Sequence, residues 1–353
     1  MPKVAIIPGD GVGPEVMTEA VKLIDTLNER FQLSLETIQF DLGAEYYLSD
    51  GISVPDSVIQ EIKKNVDAIL IGCLGDPRIP DNIHINEIYN TFFRKFNLFC
   101  ESIHIELLNE DLGILMNKTP NDINFIIVRE IHEILGKQYG RQYYKNSKSE
   151  ITVDEIVSSK QHVFNIIDHT FKMATRWKRS MVTLTTMPEE SPYSHGLWLR
   201  SFDEIKSNYT DISATHIRYP HLIFQLLREP EKFDIIVVNS GLGRLLSDIG
   251  LSLTGGYGLG CSTIYSPSDF ILLRPLHPSS TKFAGKDYAN PLAVMLCVVS
   301  LLKHLKKGKI AESVESAIKK SVESGWVTRD LGGSLGTEEV GDFICSNIVE
   351  ADK

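Results

Sequence analysis

The chain has 353 residues, 42% hydrophobic and 23% charged, with a formal net charge of -10. That composition suits one large or two modest globular domains and argues against nucleic acid or an anionic membrane as the partner of its surface. Cys73, Cys100, Cys261, Cys297 and Cys345 show no C-x-x-C spacing and sit mostly in apolar runs, as reduced thiols of a cytoplasmic protein would.

Lys3 to Ile7 predicts a strand, and no targeting pattern precedes it. It runs into Pro8-Gly9-Asp10-Gly11-Val12-Gly13-Pro14-Glu15, where Pro14 and Glu15 are good helix starters. The third glycine spacing departs from G-x-G-x-x-G, so this is a tight strand-to-helix turn rather than the dinucleotide fingerprint. Leu33 to Phe40 and Ala68 to Gly72 predict two more strands, the last followed by a turn through Pro77. Strands alternating with helices predict an α/β chain with a mostly parallel sheet. Leu112 to Met116 and Phe125 to Arg129 follow each other without a helix between them, which predicts a separate antiparallel region.

A polar segment, 136–150, predicts an exposed arm. Val163 to Trp177 predicts a helix, and Met181 to Thr186 and Ile212 to Tyr219 predict strands. From Phe233 to Gly260 the chain reads as a buried strand, a polar turn, a short helix and a glycine-rich exit, a plausible active-site floor. Arg244 and Asp248 stand four apart there and predict an ion pair on one helix face. Pro291 to Leu302 is too short to span a bilayer and predicts a buried helix. Glu315 and Lys319 predict a further pair on a helix that stops at Gly325.

Taken together these segments resemble the β-decarboxylating dehydrogenases, the family of 3-isopropylmalate and isocitrate dehydrogenases. KVAIIPGDGVGPEV, ILIGCLGDP, IIVRE, LLSDIGLSLTGGYG, AGKDYANP, TRDLGG and GTEEVGD occur in the family's order over nearly the whole chain. The resemblance implies a two-domain α/β fold, with a large domain from 1–98 and 256–353. A central part, 99–255, would carry antiparallel strands and the arm and make a homodimer.

The family oxidises a 2-hydroxy acid with NAD or NADP and then removes its β-carboxylate. The resemblance puts Arg94 and Arg129 on the substrate and Glu87, His277, Lys282 and Asn290 on the cofactor. A lysine at 282 favours the 2′-phosphate of NADP. Where the family has three metal-binding aspartates, this chain keeps Asp248 but carries Arg244 and Pro220 at the partner positions. A cation and a proline there predict that Mg²⁺ or Mn²⁺ is not held. The family's acid/base lysine is replaced by Met187, which cannot carry a proton. Its tyrosine falls near Gly136, and Tyr139 is the remaining candidate. The expectation is a homologue that has lost metal-dependent oxidative decarboxylation, a pseudoenzyme or a binding protein for a small carboxylate or nucleotide. The rivals are an active oxidoreductase on an altered 2-hydroxy acid and a non-catalytic subunit regulating an active paralogue.

Overall fold

The structure, a computed structural model, describes residues 1–131 and 139–349. The apolar strand β1 (Lys3–Ile7) ends at Pro8. Helix α1 (Gly13–Phe31) has Pro14 in its first turn, where a missing N–H is harmless. Its stripe of Val16, Ala20, Leu23, Ile24 and Leu27 is fully buried. Next come β2 (Glu36–Gln39), α2 (Ala44–Asp50), α3 (Asp56–Asn65), β3 (Ala68–Ile71), α4 (Ile83–Lys95) and β4 (Cys100–Glu106). β5 (Asn124–Glu130) leads to the hairpin strands β6 (Tyr139–Tyr143) and β7 (Ile151–Glu155). Then α5 (Lys160–Arg176), β8 (Met181–Thr186), α6 (Pro192–Lys206), β9 (Ser213–Arg218), α7 (Tyr219–Leu226) and β10 (Ile235–Val238) alternate. α8 (Ser240–Ser252), β11 (Cys261–Tyr265), β12 (Ile271–Pro275), α9 (Leu292–His304), α10 (Gly308–Glu323) and α11 (Thr337–Asn347) complete the order.

Two compact units divide the chain. One takes Met1–Asn124 and Asp248–Lys353, the other Phe125–Ser247. In the first unit the strand order is β2-β1-β3-β12-β11-β4. β2, β1, β3 and β12 run parallel, and β11 is antiparallel to both of its neighbours. Helix α9 lies in the core of this unit, with Leu292, Val294, Met295, Val298 and Leu301 all excluded from water. That placement explains why its sequence has no polar face. In the second unit β5, β10, β8 and β9 pair in parallel in that order. The β-branched run of β10 is buried throughout, as a central parallel strand requires. Trp198, Phe171 and Phe202 fill the space beside this sheet.

Three local expectations are corrected. Leu112 to Met116 is no strand: Glu110–Leu112 is a 3₁₀ turn, started by the Asn109 side chain accepting the Asp111 N–H. Ile114 and Met116 are exposed, so the apolar residues there have no sheet to bury them. Antiparallel pairing instead joins β11 to β12 and β4, and β6 to β7. Asn239-Ser240-Gly241 is less a turn than a helix start, since α8 begins at Ser240. Glu315 pairs with Lys303 of α9 at 2.5 Å, while Lys319 reaches Glu323 one turn on. Glu315 stands on the face of α10 turned toward α9, so the cation across the helix pair wins over the one along it.

Candidate functional site

Three loops meet at the carboxyl ends of the parallel strands β1, β3 and β12, where open α/β sheets bind ligands. The Asp10 N–H donates to the Cys73 carbonyl at 2.6 Å and the Val12 N–H to the Ser279 carbonyl at 2.8 Å. Asp10 itself is buried. Its carboxylate accepts the N–H groups of Ala44 at 2.6 Å and Gly75 at 2.7 Å, and His84 Nε2 at 3.0 Å. The opening G-D-G is therefore a structural lock. Gly11 has φ +58°, and a Cβ on it would lie 2.1 Å from the Ser279 carbonyl oxygen.

Above this floor is a pocket of about 460 Å³. His277 stands in its wall, with Nδ1 3.2 Å from Cys73 Sγ. Burial holds the His277 imidazole below its ordinary pKa, so it is neutral at pH 7. Burial also pushes the Cys73 thiol up to about 12, so it is no thiolate. Asn290 is fully employed: Oδ1 accepts the Leu292 N–H at 2.9 Å, starting α9, and Nδ2 donates to Asp330 at 2.9 Å. A Cβ on Gly258 would come within 2.3 Å of that Asp330 carboxylate, so glycine is what lets the α8 exit approach.

The far wall is aromatic and cationic. Phe283 and Tyr288 stack with centroids 5.6 Å apart. Arg329 lies over the Tyr288 ring at 4.3 Å, and the exposed Lys282, outside the lining, lies over the Phe283 ring at 4.8 Å. Glu15, at the start of α1, holds this wall in place. It accepts the N–H groups of Gly285, Tyr288 and Ala289 and the Thr337 hydroxyl. Glu15, Tyr288 and Arg329 fall inside the family-like segments, but neither their roles nor Phe283 were read from the sequence.

The other sequence-derived residues are spread over both units. Glu87 is exposed on α4 and accepts the Ser53 hydroxyl at 2.5 Å. Arg94 is in the last turn of the same helix. Arg129 lies on β5 in the second unit, where the Gly243 Cα approaches so closely that a Cβ would stand 2.6 Å from the arginine Cβ. Met187 is half-buried just past β8, and Pro220 is exposed in the first turn of α7. Arg244 is exposed on α8, whereas the Asp248 carboxylate accepts the Tyr257 hydroxyl at 2.9 Å. Tyr139 opens β6 opposite Glu155, and Gly136 lies outside the described residues. Among the described residues, no group of three or more His, Cys, Asp or Glu is placed to hold a metal ion.

A pocket of glycine loops, built at strand ends from both termini of an α/β chain without G-x-G-x-x-G, sets this fold apart from the Rossmann folds. The chain belongs to the isocitrate/isopropylmalate dehydrogenase family, whose model matches residues 3–344. It is 31% identical to a 3-isopropylmalate dehydrogenase of Corynebacterium kroppenstedtii, covering 98% of this chain and 99% of that one. It is 29% identical to a tartrate dehydrogenase/decarboxylase of Pseudomonas putida, over 99% and 98%. The crystal structure of isocitrate dehydrogenase from Methylococcus capsulatus superposes with a TM-score of 0.85 at 24% identity, covering 99% of both chains. The family uses NAD(P) and a divalent metal. No helix of the described residues is long and apolar enough to cross a membrane.

Proposed function

We propose that this chain is a ligand-binding member of the family that has lost metal-dependent oxidative decarboxylation. The observation that carries the reading is the state of Asp248. Its two partner positions hold Arg244 and Pro220, and its own carboxylate takes the Tyr257 hydroxyl. One remaining carboxylate, with an arginine in place of the second and a proline in place of the third, gives a dication neither enough oxygens nor enough charge. Met187 leaves the hydroxyl proton of a 2-hydroxy acid without the family's base.

What remains is the first unit's pocket. Its cationic and aromatic wall suits a nucleotide, with Lys282 and Arg329 at the anionic groups and NADP preferred over NAD. His277 and Asn290 would line that site, Glu87 would stand toward the nicotinamide, and Arg94 in the first unit and Arg129 in the second are each candidates to bind a carboxylate. Tyr139 is the one family-like proton donor left to consider. The chain would work in the cytoplasm as a homodimer, and pairing with an active paralogue is compatible with all of this. A second reading, an oxidoreductase on an altered 2-hydroxy acid, is favoured by the relatives named for tartrate.

Calorimetry with Mn²⁺, NAD and NADP, beside NAD(P)-linked assays on isopropylmalate, isocitrate and tartrate, separates the readings. The expected result is nucleotide binding, weakened for NADP by Lys282→Asp, with no micromolar Mn²⁺ site and no turnover. Arg244→Asp, Pro220→Asp and Met187→Lys should be needed together to restore a metal response. Metal-dependent turnover by the unaltered chain would overturn the proposal and promote the second reading.

A further inference from the structure

The thiols of Cys261 and Cys297 belong to neither the nucleotide pocket nor the carboxylate candidates. Cys261 opens β11, and Cys297 stands on α9, which packs across that strand. Ser300, one turn beyond Cys297 on the same helix face, has its Oγ 3.9 Å from Cys261 Sγ. The Cys297 thiol itself faces Cys261 closely enough to donate to its sulfur. Both cysteines are free thiols. Cys297 is sealed from water, whereas Cys261 is 7% exposed.

That exposure opens on one place. Cys261 and Ser300 line a narrow hollow of about 40 Å³ within the first unit, walled by Lys303, Glu315, His104 and Glu106. One water needs roughly 10–15 Å³ of such space, so the hollow suits a molecule of two or three heavy atoms. Lys303 brings a cation to it, held by Glu315 at 2.5 Å. Hydrogen bonds from Cys297 and Ser300 and the charge of Lys303 hold the Cys261 thiol below its ordinary pKa, against burial and the Glu315 charge. Burial raises the Cys297 thiol instead, so Cys261 gives up its proton first.

We propose that Cys261 is a peroxide-reactive thiol with Cys297 as its resolving partner, and that hydrogen peroxide reaches it through this hollow. The Cys261 sulfur attacks one peroxide oxygen. The S–O bond forms, the O–O bond breaks, and the departing hydroxide takes the proton that Cys261 gave up. The Cys297 sulfur then attacks the sulfenic sulfur and displaces hydroxide, forming the S–S bond, and its own proton completes a second water. Two electrons pass from the thiols to the peroxide. The product ties α9 to β11.

The test treats the reduced full chain with hydrogen peroxide and maps its peptides by mass spectrometry without reductant. The expected result is a Cys261–Cys297 link, reversed by dithiothreitol, with Cys73, Cys100 and Cys345 still free. Cys297→Ala should stop the reaction at a sulfenic acid on Cys261, trapped by dimedone. Cys261→Ala should leave Cys297 unoxidised at the same dose. tert-Butyl hydroperoxide, too large for the hollow, should react about tenfold more slowly than hydrogen peroxide, each rate taken relative to that with free cysteine. Circular dichroism checks the fold of each variant, and the map of the unaltered chain stands without them. No link in that map, or one between other cysteines, would overturn the pair. Oxidation of Cys297 in Cys261→Ala would overturn the choice of attacking thiol, and equal relative rates for the two peroxides would overturn the hollow as the entry. Nucleotide binding enters none of these readouts.

Discussion

Arg274 and Glu101 show what a single side chain carries in the first unit. Arg274 Nη2 is 2.7 Å from Glu101 Oε1, and the guanidinium lies 4.8 Å from the Tyr89 ring centre. The Glu101 side chain is 1% exposed, so each charge is tolerable only because of the other. Arg274→Met alone should therefore destabilise the protein by about 3–5 kcal/mol in urea unfolding, and adding Glu101→Leu should recover most of it. Additive losses would show that the two residues act separately. At the opening turn, Gly11→Ala forces both a positive φ and a backbone clash, and a loss of about 1–3 kcal/mol is expected by the same measurement. No loss would mean that the 277–281 loop yields freely. Gly11 was legible in the sequence as a tight turn. The Arg274–Glu101 pair was not, since 173 residues separate its members.

At the scale of elements, periodicity and punctuation located most strands and helices. β1, β3, β8 and β10 are short β-branched runs with turn residues after them, and burial on both faces leaves that pattern no other use. The same logic failed at Leu112 to Met116, because apolar content marks a strand only where a neighbouring strand accepts it. The polar arm expected at 136–150 is described from Tyr139 onward, as the hairpin β6–β7. Ile151 and Val153 share one of its faces and are 53% and 41% exposed. Two-stranded hairpins are marginal in water, so this one calls for a covering surface. If the cover is a second copy, Ile151→Asp with Val153→Asp should shift sedimentation toward the monomer and leave the circular dichroism intact. An unchanged sedimentation coefficient would remove the hairpin from the interface.

For the whole molecule, acid sensitivity follows from two histidines in different units. Burial is the main cause holding both His277 and His216 below their ordinary pKa. In the unfolded chain they take a proton near pH 6.5, so the unfolded state binds more protons below that value. Stability should be flat above pH 7 and fall as pH drops from about 6.5 toward 5.5, with His277→Gln flattening the decline. Denaturation curves at pH 7.5, 6.5 and 5.5 in low-carboxylate buffer read this directly, and a rise in stability on acidification would reverse the assignment. The family was legible from ordered motifs, the first of which carries a backbone lock in which Asp10 receives two N–H groups. The pocket's far wall was not, because Phe283, Tyr288 and Arg329 converge only through the tertiary fold.

The first unit is assembled from both chain ends, and that sets a timetable for synthesis. β3 pairs with β1 on one side, but its other edge waits for β12, about two hundred residues downstream. At about 5–20 residues per second, that edge stays open on the ribosome for roughly 10–40 s. The second unit is continuous from Phe125 to Ser247 and has all its strands before β12 emerges. Newly made chains should thus carry a finished inner unit flanked by an apolar, unpaired outer one. Nascent chains arrested before Ile271 are then the natural clients of holdase chaperones, and protease should cut them first in β1 to β4.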